Sequence, residues 1–116
     1  MKTESSVDFC FIYSTFPNTE SAHAAARTLL SEKLAACVNV YPPMTSFYAW
    51  KGKQEKETEI AAFIKTRRNL VDQTIAALRP LHPYSIPCFL ILPIQGGNSD
   101  YLAWVRKQTE QQQSTS

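Results

Sequence analysis

A chain of 116 residues is long enough for one domain with its own core, and 44% hydrophobic with 19% charged residues is an ordinary globular composition. A formal net charge of +2 is too small to point to a nucleic-acid or membrane surface. No apolar run approaches the ~20 residues of a membrane span, and Met1-Lys-Thr-Glu-Ser-Ser has no signal-peptide core, so a cytoplasmic location is expected.

Residues 1–6 are polar and are expected to fray. From Val7 the set Val7, Phe9, Phe11 and Tyr13 alternates with Asp8, Cys10, Ile12 and Ser14, which predicts a first strand with two different faces. Pro17-Asn18-Thr19-Glu20 starts a helix: Asn18 or Thr19 caps free N–H groups, and Glu20 suits the positive end of the dipole. Ala22, Ala26, Leu29, Leu30 and Leu34 follow at helical spacing, with His23 on the polar side as a surface histidine.

Val38 to Trp50 and Ile60 to Ile64 predict two strands joined at Lys51-Gly52, a long β-hairpin. Each arm of about 14 residues would extend about 45 Å at ~3.3 Å per residue, against a diameter of about 35 Å for a compact chain of this length. The hairpin must bend or protrude. Pro42-Pro43 cannot donate to a ladder, so a kink or an edge is expected there. Phe47, Tyr48 and Trp50 lie beyond it, too far from the body to be buried by their own subunit, and burial by other subunits is expected. On the return arm Glu55, Glu57 and Glu59 share one face, as a cation site or as a solvated edge that discourages strand pairing.

A second helix is predicted from Arg67 or Asn69 to Arg79, with Leu70, Val71, Ile75 and Leu78 as its stripe and Pro80 as its stop. Leu81-His82-Pro83-Tyr84 reads as a rigid loop. Ile86 to Ile94 is almost continuously apolar and predicts a strand covered on both faces. Gly96-Gly97-Asn98-Ser99-Asp100 reads as a turn and cap; without a following Lys-Ser/Thr it makes a poor phosphate loop. Tyr101, Leu102, Trp104 and Val105 predict one apolar face of a final helix, and residues 111–116 a disordered tail.

The predicted architecture is α+β: the ferredoxin-like split βαβ order, βαββαβ, with an extended hairpin between the second and third strands and a C-terminal helix. One domain spans 1–116, with no internal repeat or linker. An apolar fourth strand and an over-long hairpin are reconciled if neighbouring subunits pack sheet against sheet.

The segments Glu32-Lys-Leu-Ala-Ala-Cys-Val-Asn-Val40, Ser46-Phe-Tyr-Ala-Trp-Lys-Gly-Lys53, Ile64-Lys-Thr66, His82-Pro-Tyr84 and Tyr101-Leu-Ala-Trp104 stand in the order and spacing of the CutA family, the divalent-cation tolerance proteins, which the chain resembles over nearly its whole length. The resemblance implies a tight homotrimer of ferredoxin-like subunits with a PII-like outline, hairpins pairing across subunits, a cytoplasmic location, and a link to copper and other divalent ions. It does not imply a molecular activity. The family commonly reads His-Pro-Tyr-Glu-x-Pro-Glu where this chain has His82-Pro-Tyr-Ser-Ile-Pro-Cys88, so both carboxylates are missing. Ser14 and Leu81 stand where some members carry a cysteine and a second histidine.

Two candidate sites follow. His82 with Cys88 is a metal pair whose imidazole and thiolate would favour copper or zinc; its alternative is a hydrogen-bonded loop histidine beside a core cysteine. Cys10, Cys37 and Cys88 are an odd number in apolar segments and read as reduced, buried thiols, and no CxxC or HxxxH spacing offers a zinc site. Ser46, Trp50, Lys65 and Tyr84 are a candidate small-ligand cleft at a subunit boundary; the alternative is that Trp50 and Tyr48 pack an interface while Lys65 pairs with one of Glu55 to Glu59. No nucleophile with a base, carboxylate pair or triad is visible, so no enzyme is expected. Without the aromatic strand motif of RNA-binding modules or a basic surface, no nucleic-acid partner is expected. The expected function is divalent-metal, chiefly copper, binding and tolerance by a non-catalytic homotrimer, with a PII-like regulatory module binding a small ligand between subunits as the alternative.

Overall fold

The computed structural model describes the backbone of residues 3–5 and both backbone and side chains of residues 8–111. The first long strand, β2 (Phe9–Phe16), follows a short β1 (Thr3–Ser5). Helix α1 (Thr19–Ser31) begins where Asn18, in extended backbone, accepts the Ser21 N–H on its Oδ1 at 2.8 Å. Its buried stripe is Ala22, Ala25 and Leu29, small enough to lie close on a sheet. Leu30 is 47% exposed, so it leaves the predicted stripe, and Leu34 is buried beyond the helix end.

The hairpin is β3 (Cys37–Val40), β4 (Met44–Trp50) and β5 (Lys53–Arg67). Lys51 and Gly52 both have positive φ, 51° and 77°, as a two-residue type I′ connection requires. Val40 pairs with Ala62 but Met44 with Glu59, so residues 41–43 oppose only residues 60 and 61. The extra residue is a bulge at Pro42-Pro43, which meets the expected kink and shifts β4 by one residue against β5. β5 continues unbroken, and 15 residues at ~3.3 Å reach about 50 Å. The molecule is correspondingly elongated, with a longest extent of 49 Å and a radius of gyration of 15.7 Å against about 13 Å for a compact chain.

A 3-10 turn over Arg68–Leu70 leads into α2 (Val71–Leu78), and Pro80 sits in a second 3-10 turn, Arg79–Leu81, rather than ending the helix outright. Strand β6 (Leu90–Pro93) is shorter than the apolar run 86–94 and, among the described residues, is an edge strand bonded to β2 alone. All four of its residues are exposed in the single chain, Leu90 by 57%, so the expectation of a strand covered on both faces is not met by one chain. Gly96–Asn98 is not a bare turn but β7, paired antiparallel with β1, before α3 (Ser99–Gln108). Residues 3–5 are therefore in a strand where the sequence suggests fraying; the rest of 1–6, and 112–116, lie outside the described residues, while Gln111 donates from Nε2 to the Lys33 carbonyl at 2.8 Å.

The fold is α+β, an antiparallel sheet in the order β3-β5-β2-β6 with three helices. Ile12, Ile60, Ala62 and Ile64 face α1 and α2 and make the main core with Phe16, Leu29 and Leu78. On the opposite face α3 covers one end, burying Leu102 and Val105 against Phe9 and Ala36, while Tyr101 and Trp104 pair outward rather than joining that buried face. Beyond α3 the same face carries a cluster in which Phe11, Tyr13 and Tyr41 each pack on Phe63. Leu90 and Leu92, cross-strand from Tyr13 and Phe11, border it.

Candidate ligand cleft at the base of the hairpin

At the end of that aromatic face away from α3 lies a cavity of about 640 Å³. β5 alternation puts Glu57 and Glu59 on one side of the ribbon, and the shifted register brings Tyr48 opposite Glu55 and Trp50 opposite Lys53 on that same side. Thr15 and Pro17 at the end of β2 form its floor, and the segment Pro83 to Cys88 its other wall. That segment is stiff because Pro83 and Pro87 fix φ, and His82 before the first proline is extended, at φ −95° and ψ 122°.

His82 anchors the wall. It is 8% exposed, stacks on Phe16 at 4.8 Å between centroids, and meets Phe89 edge-on. Its Nε2 lies 2.6 Å from the Thr15 carbonyl oxygen, which only accepts, so Nε2 carries the proton. Nδ1 then accepts the Tyr84 N–H at 3.4 Å. Burial pulls the imidazole below its ordinary pKa, against the opposing effects of the Thr15 hydrogen bond and the Glu59 charge. Above the first proline, Tyr84 donates its hydroxyl to Glu59 Oε2 at 3.0 Å, tying the loop to the hairpin. Burial and then this bond and charge push the Tyr84 phenol far above its usual range; burial and then Glu59 also raise the Cys88 thiol.

Of the residues singled out in the sequence, Trp50, Tyr84 and Cys88 line this one cleft, and His82 supports it from behind. Ser46 pairs with Glu57 on the ribbon but does not line the cavity. Lys65 is elsewhere: its Nζ lies over the Phe11 and Tyr101 rings, 3.4 Å from the Tyr101 hydroxyl, in a separate cavity of about 160 Å³. The pairing of Lys65 with Glu55 to Glu59 is thereby replaced by aromatic contacts. Glu57, Glu59 and Tyr48 are the members that the sequence reading left outside its cleft; their shared face was visible in the alternation, but their proximity to Tyr84 is a long-range contact.

A metal held by His82 and Cys88 does not fit the donors of one chain. Both His82 nitrogens are engaged with the backbone, and among the described residues no three His, Cys, Asp or Glu side chains are grouped to hold an ion. Ser14, at the position the resemblance associates with a cysteine, is fully buried with no partner for its Oγ. Cys10 is buried, and Cys37 is half-buried. No helix among the described residues is long and apolar enough to cross a membrane.

Comparison with known proteins agrees with this fold over nearly its full length. The family model described as CutA1 divalent ion tolerance protein matches residues 10–108. The chloroplastic Protein CutA 1 of Oryza sativa is 39% identical over 109 residues, 94% of this chain and 62% of its own length. The divalent-cation tolerance protein CutA of Pyrococcus horikoshii is 38% identical over 99 residues, 85% of this chain and 96% of its own. The structure titled as the periplasmic divalent cation tolerance protein CutA of Archaeoglobus fulgidus superposes with a TM-score of 0.85 at 39% identity, covering 88% of this chain and 99% of that one. The chain spans about three fifths of the length of the plant and animal relatives it matches. With the long hairpin, the three helices and the 82–88 loop all falling inside the matched region, this chain belongs to the CutA1 divalent ion tolerance family.

Proposed function

We propose that the chain serves divalent-cation tolerance as a non-catalytic homotrimer of ferredoxin-like subunits with a PII-like outline, acting in the cytoplasm as a regulatory module that takes up a small ligand in clefts between subunits. The strand order β3-β5-β2-β6 with α1 and α2 on one face supports the ferredoxin-like description. The observation that carries the functional reading is the position of the cleft: it opens between the protruding hairpin and the 82–88 loop, on the edge of an aromatic sheet face that one chain leaves uncovered. A neighbouring subunit packed on that face would form the cleft's remaining wall.

Copper or another divalent metal, if taken up directly, needs donors other than His82, whose nitrogens are spent on Thr15 and Tyr84. Copper titration of wild type, His82→Ala and Cys88→Ala, each checked for intact assembly by light scattering, tests this. The expected result is equal copper affinity in wild type and His82→Ala. A loss of about tenfold or more in both variants would restore the His82–Cys88 pair and displace the small-ligand reading.

A further inference from the structure

The chemistry of the cleft walls narrows the class of ligand. Two carboxylates, Glu57 and Glu59, line a space otherwise walled by Tyr48, Trp50, Tyr84, the hydroxyl residues Thr15, Thr58 and Ser85, and apolar groups. Among the described residues no Lys or Arg lines it, and the cation nearest in register is Lys53, cross-strand from Trp50 on the same side of the ribbon. Lys56, the neighbour of Glu57 in sequence, lies instead over the Phe47 ring at 5.9 Å on the other side of the ribbon. Glu59 receives the Tyr84 hydroxyl, which leaves most of its acceptor positions open. The walls are aromatic rings whose faces are negative, and Tyr48 and Trp50 both line the cavity. After burial, the Glu59 charge is among the influences raising Tyr13, Tyr84 and Cys88, which places these groups within reach of that carboxylate. The volume of about 640 Å³ is that of a small-molecule site rather than a bare ion, and among the described residues no three His, Cys, Asp or Glu side chains are grouped to hold an ion.

Resting on the reading of the cleft as a ligand site, we infer that its ligand is a small organic cation, an ammonium or guanidinium group on a short alkyl body. The charged head sits between Glu57 and Glu59 and the faces of Tyr48 and Trp50, and the alkyl part lies along Ile86. An anionic ligand is repelled by the same carboxylates, and a neutral one gains apolar contacts and hydrogen bonds without the attraction between charges.

The test uses the full chain as assembled in solution, with Trp104→Phe so that Trp50 is the sole indole reporter; Trp104 stands on α3 at the other end of the sheet face. n-Butylammonium, n-butylguanidinium, 1-pentanol and butyrate are titrated while Trp50 fluorescence is followed. Both cations should bind saturably and about tenfold or more tighter than the alcohol, with butyrate weakest. Glu57→Gln combined with Glu59→Gln, isosteric and checked for unchanged assembly by light scattering, should bring the cations down to the alcohol's level. Equal binding of alcohol and cations, or undiminished cation binding in the double variant, overturns the inference. Zinc or copper chloride binding that depends on Glu57 and Glu59 while the organic cations fail overturns it and leaves the cleft as a ligand site. Silence of Trp50 toward every probe overturns both.

Discussion

His82 is the residue at which two chemistries compete, and the packing around it favours the neutral, hydrogen-bonded ring. Its ring lies between Phe16, Tyr84 and Phe89 with both nitrogens hydrogen-bonded, an arrangement built for the neutral form. Because burial lowers its pKa below the ordinary value of about 6.5, the unfolded chain takes up a proton first as pH falls. Stability is therefore complete above that value and is lost as pH drops through it toward the folded-state pKa. Urea midpoints at pH 7.5 and 5.5 should fall for wild type and fall less for His82→Gln, whose amide can still donate to Thr15. An identical drop in both would assign the pH dependence to other groups. Histidine in a Pro-rich loop was legible from the sequence; that its Nε2 reaches the Thr15 carbonyl, 67 residues away, was not, because nothing local encodes that contact.

At the scale of the element, the hairpin is set by three local features. The positive φ at Lys51 and Gly52 makes the tight turn, and the bulge at residues 41–43 changes the register. Unbroken β5 carries both halves. Lysine is a poor residue at φ 51°, where asparagine is better tolerated. Lys51→Asn should raise stability by up to about 1 kcal/mol in equilibrium unfolding with the fold unchanged; a loss would show that Lys51 makes a contact that the turn geometry does not require. The bulge also decides which side chains reach the cleft. Without the extra residue, β4 would keep the register of β3, and Tyr48 and Trp50 would turn to the opposite side of the ribbon from Glu57 and Glu59. The prolines predicted a kink, and the kink proves to be the device that places the aromatic walls.

The whole molecule is elongated by a ribbon whose tip one chain does not bury. Phe47 is 75% exposed, and Tyr48 and Trp50 are exposed beside it. The face formed by Tyr41, Leu90 and Leu92 is likewise open, and so large an apolar surface in a single chain points to assembly. Tyr48→Ala with Trp50→Ala should lower the denaturant concentration at which light scattering loses the assembled mass, expected to be three times the 13.1 kDa of one chain. An assembly equally resistant in the double variant would remove the tip from the interface. The same scale explains why the apolar run 86–94 reads as a strand covered on both sides: its hydrophobicity suits an assembled surface, and periodicity cannot tell a neighbour in the same chain from one in another.

By itself the amino-acid sequence determined the order of the main elements, a helix cap at Asn18 or Thr19, the Lys51-Gly52 turn and the position of the kink, since each depends on propensity, periodicity or fixed φ within a few residues. Only the tertiary structure decided that β1 pairs with β7, that Lys65 turns to Phe11 and Tyr101, and that Glu59 meets Tyr84 across the mouth of a cleft. These are contacts between segments distant along the chain, and their energies depend on geometry that no local pattern carries.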